Sequence, residues 1–345
     1  MTGAPNPRPR ERGIVIGVLE PAEHNAITDV AGVRVGHVTL NMDDGACVRT
    51  GVTAVLPHAG SMLEQPVAAA VHVINGFGKA IGTTQVDELG IVETPIVLTN
   101  TLSVGAAYTG VVRQALRDNA SGEAVRTLNP LILECNDGWL NDIGSMRVEP
   151  EHVLEAIDSA SGGPVEEGAV GAGTGMLCFG WKGGIGTSSR RVGASVVGTL
   201  VLANFGSRRD LLVDGIPVGR LLGEHQPEPG RVGGSCIAVL ATDAAFDARQ
   251  LRRLAQRAQY GLGRTGAYGH HSSGDYAVAF STSQEPTRPD GSWLDPFFEA
   301  VVEAVEEAII SSLFAAETTA GRQGHVGYGL PVDDVAALVG RDGPR

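Results

Sequence analysis

Ser235 is the residue around which a reaction can be built. It stands in Arg231-Val-Gly-Gly-Ser235-Cys-Ile-Ala-Val-Leu-Ala241, where a glycine pair leads into small and β-branched residues that read as a buried strand. Just upstream, Gly223-Glu-His-Gln-Pro-Glu-Pro-Gly230 is made of turn and breaker residues. At such a junction the Ser235 hydroxyl can attack the Gly234 carbonyl and break the chain, leaving Ser235 with a free amine. A serine hydroxyl is a weak nucleophile until a base takes its proton. A new α-amino group, with an unperturbed pKa of about 7.7–8.0, puts that base on the same residue. Gly234 suits the step because glycine tolerates the strained backbone that attack on its own carbonyl requires. The plainer reading, a loop that ends where a strand starts, is the commoner one for this stretch taken alone.

Other polar residues could complete the chemistry. Ser272-Ser273-Gly274-Asp275 immediately precedes a buried strand, so Ser273 and Asp275 can face one site. A carboxylate beside the Ser235 amine would favour its ammonium form and orient it; a polar turn with Asp275 capping local amides is the alternative. Asn204 ends a strand and carries an amide able to donate to a developing oxyanion, a contact worth about 2.7–4 kcal/mol, although Asn is also a common turn former. Glu134 and Asp137 lie at or near another strand end. Either can grip a substrate ammonium, or be a buried, satisfied carboxylate.

Three further features point to no cofactor or metal. Asn75-Gly-Phe-Gly-Lys-Ala-Ile-Gly82 resembles a phosphate-binding turn but is one residue longer than the dinucleotide fingerprint, and Thr83 to Asp87 breaks any apolar helix face after it. It reads as a structural turn. His270-His271 lacks a carboxylate-rich partner motif, and adjacent side chains diverge on most backbones. Cys47, Cys135, Cys178 and Cys236 form no CxxC pair and read as small core residues of a reducing compartment.

The elements that must position these groups are legible in outline. Strands are expected at 50–57, 67–74, 94–99, 131–135, 194–204, 235–241 and 276–281, with a short one within 27–40. Helices are expected at 103–119 with Ser103 as N-cap, at 149–159, at 247–262 and at 293–318. Residues 165–186 are too glycine-rich to assign. Strands do not alternate regularly with helices, so two packed sheets flanked by helices are expected rather than a doubly wound sheet. Residues 1–12, rich in Pro and Arg, read as a disordered tail; 13–345 read as a single catalytic domain without internal repeats.

Composition agrees. A 43% hydrophobic content and a mean hydropathy of +0.05 fit a globular chain with a sizeable core. Forty-eight glycines without a collagen period imply tight turns and close backbone approaches. A net charge of −13, with basic residues gathered only in the N-terminal tail, argues against a nucleic-acid partner. No signal peptide is recognisable and no apolar run approaches a membrane span, so neither membrane nor export is expected and the cytoplasm is the expected location.

Several motifs occur together in one order: Asn25-Ala-Ile-Thr-Asp-Val-Ala-Gly-Val-Arg-Val-Gly-His37, Ile74-Asn-Gly-Phe-Gly-Lys79, Thr99-Asn-Thr-Leu-Ser-Val-Gly105, Glu134-Cys-Asn-Asp-Gly138, Ala203-Asn204, Gly234-Ser235, Gly261-Leu-Gly-Arg-Thr-Gly266 and Ser273-Gly-Asp275. From about residue 25 to 330 the chain resembles the L-aminopeptidase/D-amidase-esterase family, which includes the β-peptidyl aminopeptidases. The resemblance implies an α/β/β/α sandwich like that of N-terminal-nucleophile hydrolases but with its own connectivity, usually a homotetramer. It implies a precursor that cuts itself at Gly234-Ser235 into 1–234 and 235–345, with Ser235 as nucleophile, Ser273 and Asp275 as the Ser and acid beside it, and Asn204 in the oxyanion hole. One departure stands out: Trp139 follows Asn-Asp-Gly where the family has Tyr. An indole N–H only donates, and from a different position than a phenol hydroxyl, so Trp139 is expected to replace an oxyanion donor imperfectly. The expected activity is release of small N-terminal L-, D- or β-aminoacyl groups from peptides, amides or esters without a cofactor, Glu134 being a candidate grip for the substrate amine. Two alternatives remain open: an acyltransferase like the ornithine acetyltransferases, whose nucleophile is Thr, and a catalytically silent homologue.

Overall fold

The computed structural model describes residues 7–119, 125–223, 234–285, 287 and 289–342. The polar segment read upstream of Ser235 thus lies, from 224 to 233, outside the described residues, as do residues 1–6.

Two sheets face each other. The smaller has the order β1 (Arg34–Asp43), β2 (Cys47–Leu56), β5 (Ile96–Asn100), β6 (Leu131–Cys135). The larger runs β4 (Ile91–Val92), β3 (Val67–Gly76), β12 (Gly274–Ser281), β11 (Ser235–Thr242), β10 (Ser195–Asn204), β9 (Gly184–Val192). Two-residue strands β7 (Leu177–Cys178) and β8 (Trp181–Lys182) form a hairpin, and β13 (Thr319–Ala320) pairs with β14 (Val326–Gly327). Helices α2 (Val104–Asp118) and α3 (Pro150–Asp158) cover the small sheet; α5 (Ala248–Arg264) and α6 (Asp295–Ala315) cover the large one. The result is the expected four-layer α/β/β/α sandwich.

Strand periodicity builds three cores. In β11, Cys236, Ala238 and Leu240 face the α5–α6 layer, while Ile237, Val239 and Ala241 face the small sheet. In the small sheet, Val55, Ile96, Leu98, Leu131 and Leu133 meet them, and Val38, Val52, Val97 and Ile132 turn outward under α2 and α3. A strand buried on both faces loses the apolar–polar alternation of a half-buried one, which is why β11 reads as one continuous apolar run. Two parallel pairs, β5–β6 and β11–β12, sit among antiparallel neighbours. Each needs a crossover, and α2 and α5 supply these.

Three expectations need correcting. The second half of the 1–12 tail is held: Pro9–Arg12 forms a 3-10 turn, Arg10 pairs with Glu307 at 2.7 Å and Arg8 with Glu167 at 2.8 Å. Those carboxylates are buried, and Glu307 also binds the fully buried Arg190 at 2.6 Å; an unpaired buried charge is costly, so the tail's arginines are drawn in. Ser103 does stand at the N-cap of α2, but its hydroxyl makes no capping bond and is buried without a partner among the described residues. After Gly82, whose φ of +84° only glycine adopts freely, a short helix α1 (Thr83–Leu89) does form, burying only Val86. The unassigned 165–186 stretch contains the β7–β8 hairpin and the start of β9. Among the described residues no helix is long and apolar enough to cross a membrane.

Candidate active site

The large sheet gathers its strand ends at one edge. The last residue of β10, Asn204, pairs with the first of β11, Ser235, and Ser235 pairs on its other side with Gly274, the first of β12. The end of β3 closes the row, Asn75 opposite Asp275 and Gly76 opposite Gly274. Strand pairing alone therefore brings residues 204, 235 and 273–275 together from three distant segments. All are buried, with Ser235 at 5% exposure, Asn204 and Ser273 at 2% and Asp275 at 3%.

The surroundings of the Gly234–Ser235 bond suit acyl transfer. Ser235 Oγ donates to Gly234 O at 2.7 Å. The Gly274 N–H reaches both Gly234 O and Ser235 Oγ at 3.3 Å. Ser273 Oγ donates to Asp275 Oδ1 at 2.7 Å, and it lies 3.3 Å from where a Cβ on Gly234 would stand. With its hydrogen committed to Asp275, the Ser273 oxygen has only acceptor capacity left for a neighbouring N–H. Burial pushes the Asp275 carboxyl above its ordinary value, against the lowering pull of the Ser273 hydroxyl and of the nearby Cys236 backbone. Gly274 must be glycine, because a Cβ there would fall 2.7 Å from Phe77 O.

Asn204 is held at both ends. Its Oδ1 accepts the Leu177 N–H at 2.9 Å, and its Nδ2 donates one hydrogen to Asn136 O at 2.9 Å. Among the described residues the second Nδ2 hydrogen has no partner, so it can serve an incoming oxygen. The bond to Asn136 also ties β10 to the loop after β6, which carries Glu134 at 3% exposure. Glu134 accepts the Lys79 N–H at Oε1 (3.0 Å) and the Thr101 hydroxyl at Oε2. Gly78 allows this approach, since a Cβ there would meet Tyr276 Cε2 at 2.8 Å and Glu134 Oε1 at 3.4 Å. Asp137, the other acid considered, is fully buried and accepts the Asn141 amide at 3.0 Å. Burial pushes its carboxyl up to about 7.

Trp139 is packed against His325. Its ring stacks on His325 at 3.8 Å, its carbonyl bonds to the His325 ring at 2.8 Å, and its indole N–H is buried without a partner among the described residues. Neither polar atom bonds to Ser235 or Asn204. His270 borders the group through its backbone, its carbonyl accepting the Ser273 N–H at 3.0 Å and the Asn75 amide at 2.7 Å, while its ring Nε2 lies 3.1 Å from the Tyr268 hydroxyl. A cavity of about 470 Å³ opens beside Ser273 and Asp275, walled by Phe205, Gly206, Tyr268 and His270.

Sequence reasoning missed the backbone donors. The Gly274 N–H had a readable signal, a glycine between two polar residues at the head of a strand. The holders of Glu134, Lys79 N–H and Thr101, lie more than thirty residues upstream of it, with nothing in the sequence to link them.

Comparison with known proteins gives the same picture from a different direction. The chain is 42% identical to the β-peptidyl aminopeptidase BapA of Sphingosinicella microcystinivorans, over 97% of this chain and 92% of that one. Its fold matches a Burkholderia sp. β-aminopeptidase with a TM-score of 0.91 and 42% identity, covering 98% and 99% of the two chains. It matches the L-aminopeptidase D-Ala-esterase/amidase of Ochrobactrum anthropi, described as a variant of the Ntn hydrolase fold, with a TM-score of 0.86 and 36% identity over 98% and 99%. The profile of peptidase family S58 covers residues 25–327. This chain therefore belongs to peptidase family S58 and is a serine aminopeptidase/amidase.

Proposed function

We propose that the chain cuts itself between Gly234 and Ser235 and then uses Ser235 to release small N-terminal aminoacyl groups. The observation that carries this reading is the contact of Ser235 Oγ with Gly234 O at 2.7 Å, with one N–H, that of Gly274, directed at both oxygens. In the cut, Ser235 Oγ bonds to the Gly234 carbonyl carbon while charge gathers on Gly234 O beside the Gly274 N–H. The C–N bond then breaks, the Ser235 nitrogen takes the hydroxyl proton, and water hydrolyses the ester to leave a Gly234 carboxylate.

In turnover the same oxygen attacks the substrate carbonyl. Its proton passes to the Ser235 amine and on to the leaving amine; Ser273 and Asp275 orient that amine, and the spare Asn204 N–H meets the oxyanion. Water then frees the acyl group. Purified protein is expected as two fragments, 1–234 and 235–345, by mass spectrometry. An uncut preparation that still hydrolyses substrate overturns the proposal.

Glu134, its oxygens fixed by Lys79 N–H and Thr101, is the acid proposed to take the substrate's ammonium. Glu134→Gln keeps the shape and removes the charge. KM for an aminoacyl nitroanilide is expected to rise about 10- to 100-fold, the cost of one charge-assisted contact, while esters lacking an amine are unaffected. Equal losses on both would remove this role. The names of the β-peptidyl relatives favour β-aminoacyl substrates. β-Alanine p-nitroanilide is accordingly expected to turn over faster than its L-alanine counterpart, and the reverse order would place the preference with α-amino acids. A tetramer of cleaved units in the cytoplasm belongs to the same proposal; analytical ultracentrifugation and cell fractionation test it.

A further inference from the structure

We propose that Lys182 is a positioning residue for the Asn204 amide, acting through the peptide bond between Met176 and Leu177. The inference rests on the reading of Asn204 as the oxyanion donor. Lys182 is wholly buried, and its Nζ donates to three backbone carbonyls, Gly173 O at 3.1 Å, Met176 O at 2.9 Å and Gly183 O at 2.7 Å. Three acceptors match the three hydrogens of an ammonium. A neutral amine would turn a lone pair onto one of the carbonyls. Burial pulls the lysine's pKa down to about 7, and the charge of Asp137 opposes that pull.

Met176 C=O and Leu177 N–H belong to one planar peptide unit. Lys182 holds its oxygen, and the Leu177 N–H at the other end donates to Asn204 Oδ1 at 2.9 Å. Fixing the first end therefore aims the second. The ammonium also polarises the unit, which strengthens its N–H as a donor. Asn204 cannot flip, because an NH₂ turned toward Leu177 would set donor against donor. The amide hydrogens stay on the side of Asn136 and the Ser235 edge.

The β7–β8 hairpin does not need this lysine merely to close. Leu177 pairs with Lys182, and Gly183 N donates to Met176 O at 3.0 Å through backbone atoms alone. A buried ammonium is expensive; its placement on the peptide that contacts Asn204 gives that cost a catalytic purpose.

A double-mutant cycle tests it, with kcat expressed per cleaved chain so that slow maturation does not pass for slow turnover. Lys182→Met is expected to lower kcat about 10- to 100-fold, the usual effect of misplacing a catalytic group slightly, with KM held. In the Asn204→Ala background, Lys182→Met should cost nothing further. Equal fold-losses in both backgrounds overturn the positioning role, as does an unchanged kcat in the single variant. If Asn204→Ala itself leaves kcat intact, the oxyanion reading fails instead, and the two failures are told apart. Should Lys182→Met not fold, Lys182→Gln, which retains two N–H donors, takes its place in the cycle. Failure of both to fold would make the lysine a structural staple and overturn the proposal.

Discussion

Ser235→Ala is expected to remain one chain of 345 residues and to lose hydrolysis by a factor on the order of 10⁶ in kcat, the scale found when a serine nucleophile is removed. Loss of the oxygen should cost the fold little. Ser235 Oγ donates only to Gly234 O, and it accepts a Gly274 N–H that also reaches Gly234 O. After truncation the N–H keeps that carbonyl, so no buried donor is stranded. An unchanged melting curve together with a single band on a denaturing gel would isolate the chemical role of the hydroxyl. A variant that still splits between 234 and 235 would move the nucleophile elsewhere and end the proposal. A variant that stays intact but hydrolyses nitroanilides normally would take catalysis away from Ser235 and overturn the proposal as well.

The same edge of the sheet shows which parts of the site the sequence could disclose. Ser235 is visible because a doubly buried strand writes an unbroken apolar run, and a glycine pair with a serine at its head is an abrupt change of composition. Asn204 and Asp275 also mark strand ends, but their approach to Ser235 depends on the pairing of β10, β11 and β12, which no local pattern specifies. Their roles come from motifs shared with a family rather than from spacing. Lys182 is hidden for another reason. Its partners are the carbonyls of Gly173, Met176 and Gly183, and backbone acceptors leave no side-chain signature in a glycine-rich stretch without periodicity. The N-terminal arginines mislead because their composition is that of a solvated tail, while the buried carboxylates that capture them lie about 160 and 300 residues away. Trp139 shows another limit: its position after Asn-Asp-Gly says nothing of the stack with His325, 186 residues on, that fixes its ring.

Asp275→Asn separates geometry from proton handling. The wild-type carboxylate accepts the Ser273 hydroxyl at 2.7 Å. An asparagine has one accepting and one donating end. With its NH₂ end toward Ser273, a donor meets a donor unless Ser273 reverses. Reversed, Ser273 would accept from the introduced amide and send its own hydrogen toward the Ser235 nitrogen, opposite to the direction needed to orient a free amine. A general acid–base contribution is worth about 10²–10⁴-fold, and kcat per cleaved chain is expected to fall by that range. Self-cleavage should slow as well, because Ser273, which Asp275 holds, lies against Gly234, 3.3 Å from where a Cβ on it would stand. Stability should move differently. Burial raises the Asp275 carboxyl above its unfolded value, so the folded chain holds that proton more tightly. Ionising the carboxyl at neutral pH therefore costs stability, and the neutral amide removes the cost. The melting temperature at pH 7 is expected to equal or exceed that of the wild type. Below the unfolded carboxylate pKa, where both states are protonated, the advantage should vanish. A variant that is both slow and markedly less stable at pH 7 would mean that Asp275 holds the strand ends in place, and the proton relay through Ser273 would lose its support.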